Sequence, residues 1–119
     1  MNEPNGMGKA PAASLARMAL AVRAAGGSAN EVLVGPTTSG IDTNYINATF
    51  VAGILPALTG VSLHPYRDSA PETALPEYDI VRSLIVQYAK PAQAQIPIYV
   101  GEWGYTSATL PCTYGNRVR

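Results

Sequence analysis

Three short strand-like segments, each separated from the next by a helix-length segment, constrain this chain more than any other feature. They occupy residues 31–35 (EVLVG), 61–64 (VSLH) and 96–100 (IPIYV). The first is a continuous apolar run closed by Gly35-Pro36, which suits a parallel strand buried on both faces, with Thr37 to Asp42 following as loop. The segments between them carry the other period. In the Ala-rich stretch 10–25, Leu15, Met18, Ala19 and Val22 recur at steps of three and four, and Gly26-Gly27 follows as a stop. Residues 44–53 are helical in character. After a long Pro-containing loop that runs to Pro76, Tyr78, Val81, Leu84, Ile85 and Tyr88 make one apolar face, closed by Pro91.

Strand, helix, strand, helix, strand at about thirty residues per unit describes consecutive βα units and a parallel sheet. The fold class expected is α/β, with residues 1–105 forming one organised region and 106–119 an irregular tail. No linker or low-complexity segment divides the chain. A doubly wound nucleotide fold would want a Gly-rich phosphate loop after its first strand, and the segment from Gly35 to Gly40 (GPTTSG) does not match one.

Composition narrows the partners. Eight basic and eight acidic residues cancel, with no basic run, so neither nucleic acid nor an anionic membrane is favoured. The 13% of charged residues is about half the usual share, which suggests surface that expects to be covered. Cys112 stands alone and cannot form an internal disulfide; one Cys and one His in the whole chain are too few for a zinc site of ordinary type. No run is long enough to span a membrane. No basic region followed by an apolar run opens the chain, so no signal peptide is visible, and localisation stays open.

In βα folds, chemistry collects at the C-terminal ends of strands. Those ends hold Thr37 and Thr38, then His64 and Tyr66, then Glu102 and Trp103. Glu3 precedes the first helix, where the end of an earlier strand would lie. Two carboxylates, an imidazole and two aromatic rings thus point to one face. Cleaving a glycosidic bond needs a carboxylic acid on the leaving oxygen and a carboxylate across the sugar, and aromatic rings give sugars flat apolar surfaces. Tyr78 and Tyr88 read as core, and the Asn47-Ala48-Thr49 sequon reads as a chance match inside a helix.

At this point the sequence resembles a known family. Asn2-Glu3-Pro4 resembles the strand-four signature of the clan A glycoside hydrolases, the (β/α)8 group that includes the family 5 cellulases. Gly101-Glu102-Trp103-Gly104 resembles their strand-seven signature, Val34-Gly35-Pro36 their strand-five segment and Ser62-Leu63-His64-Pro65-Tyr66 their strand-six segment. The four landmarks fall in the family's order across residues 2–104. The resemblance implies a partial TIM barrel, running from about strand four to strand seven, from an enzyme that hydrolyses β-linked glycans without metal or organic cofactor. By position it implies that Glu3 is the general acid/base and Glu102 the nucleophile. Asn2 would hydrogen-bond the sugar hydroxyl beside the reacting carbon, His64 and Tyr66 would contact nucleophile or substrate, and Trp103 would line a sugar subsite. An oligo- or polysaccharide is the implied partner.

The chain departs from that pattern in extent. Eight strands are expected of such a barrel and three are present, and Met1 stands where the family often has Trp. The parent enzyme is therefore expected to hydrolyse β-glycosides and the isolated chain to be inactive. A non-catalytic βα module that only binds carbohydrate is the alternative, and a doubly wound domain binding a small phosphorylated ligand is a third.

Overall fold

The computed structural model describes residues 2–26 and 31–105, together with the backbone of Thr113–Tyr114 and Arg117–Val118. Helix α1 spans Ala12–Ala24, strand β1 Val34–Ser39, helix α2 Thr43–Val51, strand β2 Gly60–His64, helix α3 Leu75–Tyr88 and strand β3 Ile98–Val100. The three strands form one parallel sheet in the order β1-β2-β3, as the spacing of the apolar runs implies. This α/β architecture, three helices on a parallel three-stranded sheet, is that of a partial TIM barrel. Thr113–Tyr114 (β4) pairs antiparallel with Arg117–Val118 (β5) inside the stretch expected to be irregular. Cys112 and Gly27 lie outside the described residues.

β2 is the central strand, and all five of its residues are buried. Val61 and Leu63 join Ile46, Phe50, Ile54, Leu55, Val81 and Ile85 in one core between sheet and helices. α2 begins at an N-cap, Asp42, whose carboxylate accepts from the Tyr45 amide at 2.9 Å. It buries Tyr45, Ile46, Thr49 and Phe50. The Thr49 hydroxyl is spent on the Ile46 carbonyl, so the sequon threonine is a core residue. α3 buries Val81 and Ile85, and Tyr88 meets Phe50 edge-on at 6.2 Å between centroids.

Two expectations need correction. The first strand is not 31–35 but Val34–Ser39, so Thr37, Thr38 and Ser39 are strand where a loop is expected. Gly35-Pro36 reads as a stop because Pro cannot donate to a sheet. β1 is an outer strand, however, and there a missing donor is tolerated; Thr38 and Ser39 continue the pairing opposite Leu63 and His64. The buried stripe of α1 is also displaced. Leu15, Ala16 and Ala19 are buried, whereas Met18 and Val22 are exposed along an apolar groove beside Leu33 and Val34. Beyond β1 no strand covers that side of the sheet among the described residues. Arg23 reaches from α1 to the Ala57 carbonyl, with Nε and Nη2 at 3.0 and 2.8 Å. Among the described residues, no helix is long and apolar enough to cross a membrane.

Candidate active site

The site lies at the C-terminal ends of the three strands. His64 is the last residue of β2 and is 3% exposed, so its ring is fixed by packing. Gly101, following β3, makes room for that ring. A Cβ at position 101 would stand 3.0 Å from His64 Nε2 and 3.2 Å from its Cδ2. Gly101→Ala is therefore expected to push the imidazole out of register and to cost about 1–3 kcal/mol of stability by overpacking. Urea denaturation measures that loss, and an unchanged midpoint would show that the ring yields freely.

Around His64 the two carboxylates converge from opposite ends of the chain. Its Nδ1 donates to Glu3 Oε1 at 3.0 Å and lies 3.8 Å from Glu102 Oε1. One oxygen of Glu3, one of Glu102 and His64 Nδ1 all fall within 4.8 Å of one another. With Nδ1 facing a carboxylate, the neutral ring carries its proton there. Tyr66 holds the second carboxylate from the other side, its hydroxyl donating to Glu102 Oε2 at 2.5 Å. The Tyr66 ring stands edge-on to His64 at 6.3 Å. Gly104 allows this placement, since a Cβ there would meet the Tyr66 ring at 3.0 Å.

The loop that carries Glu3 is tied down without a strand of its own. The Glu3 amide donates to the Thr37 carbonyl at 3.0 Å, and Gly6 N–H closes a turn onto the Glu3 carbonyl. Pro4 and Gly6 occupy the second and fourth places of that turn, which suit Pro and Gly. Glu3 itself has a positive φ of 46°. The Asn5 side chain bonds β1 at Ser39.

Of the residues singled out from sequence, Glu3, His64, Tyr66 and Glu102 are brought together. Trp103 and Tyr66 are exposed beside them, with Tyr105 as a third exposed ring. Asn2 is exposed next to Glu3. Thr38 is fully buried with its hydroxyl on the Gly40 carbonyl, which leaves it structural. Asn5 and Asp42 escape a sequence reading: each looks like an ordinary turn or loop residue, although Asp before a helical pattern is a cap signal.

The Glu3, His64 and Glu102 donors are close enough together to hold a divalent cation. Ligation through Nδ1 would require His64 to release Glu3. The arrangement also suits acid–base chemistry, with two carboxylates on an open face and a buried donor between them.

The family model for cellulase (glycosyl hydrolase family 5) matches residues 1–117. A search of curated proteins and a search of solved structures each gave no match.

Proposed function

The chain belongs to the cellulase family, glycosyl hydrolase family 5, and from that premise we propose that Glu3 and Glu102 form a retaining catalytic pair acting on β-linked glycans. The observation that supports this reading is the approach of the two carboxylates to within 4.8 Å, oxygen to oxygen, around one buried imidazole. Inverting enzymes hold their carboxyl groups about 6.5–9.5 Å apart to admit a water, whereas retaining enzymes hold them about 5–5.5 Å apart.

In the first step a Glu102 oxygen attacks the anomeric carbon as the bond to the leaving oxygen breaks, and Glu3 delivers its proton to that oxygen. In the second, Glu3 takes a proton from water, the water oxygen bonds to the anomeric carbon, and Glu102 departs as a carboxylate. The Tyr66 hydroxyl orients Glu102 and supports its negative charge. His64, itself buried, fixes Glu3 through Nδ1. Trp103, Tyr66 and Tyr105 offer exposed ring faces for sugar binding, and Asn2 hydrogen-bonds the hydroxyl next to the reacting carbon.

The parent barrel carries out the full cycle on polysaccharide. The chain alone does not: Glu102 is 47% exposed, and the described parallel sheet has three strands of the eight that close such a barrel. That inactivity concerns polysaccharide: an activated aryl β-cellobioside, which needs neither a long cleft nor help with its leaving group, still reacts at Glu102 and is released slowly by water with Glu3 as base. The test is the configuration of the sugar first released from such a substrate, followed by NMR. A β product is expected. An α product would make Glu102 a base for water and overturn the retaining assignment.

The exposure of Tyr66, Trp103 and Tyr105 also favours a second reading, a module that binds carbohydrate without cleaving it. Saturable cello-oligosaccharide binding with no aryl glycoside turnover, unchanged by removing either Glu, is its signature.

A further inference from the structure

The Glu3 loop sits against the outer edge of β1, where a neighbouring strand would otherwise supply backbone pairing. Asn5 supplies an equivalent. Its Nδ2 donates to the Ser39 carbonyl at 2.9 Å and its Oδ1 accepts from the Ser39 amide at 2.8 Å. A carboxamide presents donor and acceptor side by side, as a peptide group does, so one side chain satisfies both edge groups of Ser39. The second Nδ2 proton goes to Asp42 Oδ2 at 3.1 Å. Asp42 is itself fixed, because its Oδ1 caps α2 at Tyr45 N. Tyr45 in turn donates its hydroxyl to the Ala10 carbonyl. Burial, with the Asp42 charge adding to it, pushes the Tyr45 phenol above its ordinary pKa and keeps it a donor.

Ser39 lies opposite His64 in the β1–β2 register, and His64 holds the Glu3 carboxylate. Asn5, Ser39, His64 and Glu3 therefore close a ring, with the Asn5–Asp42 bond bracing it from α2. We infer that Asn5 and Asp42 are positioning residues that clamp the Glu3 loop to β1 and so set the Glu3 carboxylate on His64 Nδ1. The inference rests on the proposed role of Glu3 for its catalytic meaning, but not for its geometry.

The chain contains one histidine, so the imidazole resonances of the intact 119-residue chain belong to His64 alone. In the unmodified chain the Nδ1–H proton is expected to be visible by NMR and slow to exchange. Asn5→Ala removes both Ser39 contacts and the Asp42 contact, and is expected to speed that exchange at least about tenfold as the loop opens locally. Asp42→Asn is the sharper variant. It keeps an oxygen for the α2 cap, since Asn caps as well as Asp, but sets an amide donor against the Asn5 donor. It is expected to speed the exchange while the β2 amides of Val61 and Leu63 stay protected. The double variant Asn5→Asp with Asp42→Asn restores a donor–acceptor pair between positions 5 and 42 but leaves the Ser39 carbonyl facing a carboxylate oxygen, so the exchange is expected to stay fast. If Asp42→Asn leaves the Nδ1–H signal unchanged, the clamp is wrong. Should Asn5→Ala fail to fold, Asp42→Asn, which leaves both Asn5–Ser39 contacts available, decides the matter. The resonance reports position and not turnover, so the clamp and the catalytic reading can fail separately.

Discussion

Glu102→Gln is expected to abolish release of phenolate from an activated aryl β-cellobioside, lowering the rate at least about 10⁴-fold. The substitution keeps the shape of the side chain and, through its amide oxygen, can keep the Tyr66 contact, but it replaces the charged carboxylate with a neutral amide too weakly nucleophilic to bond the anomeric carbon. Glu102 is nearly half exposed and lies outside the hydrophobic core, so the fold is expected to persist. Stopped-flow or steady-state release of the coloured phenolate, beside a far-ultraviolet circular dichroism spectrum, separates lost chemistry from lost structure. A variant that retains a tenth or more of the rate would show that Glu102 is not the nucleophile.

Glu3→Gln is expected to act selectively. With a leaving group that needs no proton, the first step is spared; with a phenyl leaving group it falls by about 10²–10⁴-fold, the usual worth of a positioned acid. The second step, which needs a base, slows in both cases. Added azide, an anion that attacks without deprotonation, is expected to restore turnover of the Glu3→Ala variant and to give the β-glycosyl azide. Equal loss across all leaving groups would make Glu3 a binding residue. Gln at position 3 also changes what faces His64 Nδ1, but an amide oxygen can still accept that proton, so the ring is expected to stay in place.

The fold was legible where hydrophobicity and topology agree. Val61 and Leu63 mark β2 as a core strand, Ser62 between them is buried as well because the strand is covered on both faces, and that same burial fixes His64 at the strand end. The apolar face of α3 was equally readable through Val81 and Ile85. β1 was misplaced by three residues because Gly35-Pro36 carries a turn signal that an outer strand can override by pairing on its other side. The α1 stripe was misassigned because Met18 and Val22 have the right spacing but face a groove that no described strand fills.

The candidate site was legible as residue types at strand ends, and its assembly was not. No spacing rule brings Glu3 near Glu102. Their meeting depends on the parallel register of β2 with its two neighbours and on a loop that the sequence marks only as a turn. Asn5 shows the limit most clearly. Asn before Gly is a common turn signal, and nothing in the sequence says that its amide also completes the edge of β1. Low overall charge was read as surface awaiting cover. The exposed Val22, Val32, Tyr99, Val100 and Trp103 give that reading particular residues.

The most direct measurement is to find where a sugar attaches. Incubating the intact chain with 2,4-dinitrophenyl 2-deoxy-2-fluoro-β-cellobioside slows breakdown of any covalent intermediate while the leaving group drives its formation, and peptide mass spectrometry then locates the label. One fluorocellobiosyl group on Glu102, absent from the Glu102→Gln variant, is the expected result. No label, or a label on Glu3 or any other residue, would contradict the assignment of Glu102 as the nucleophile of a retaining pair.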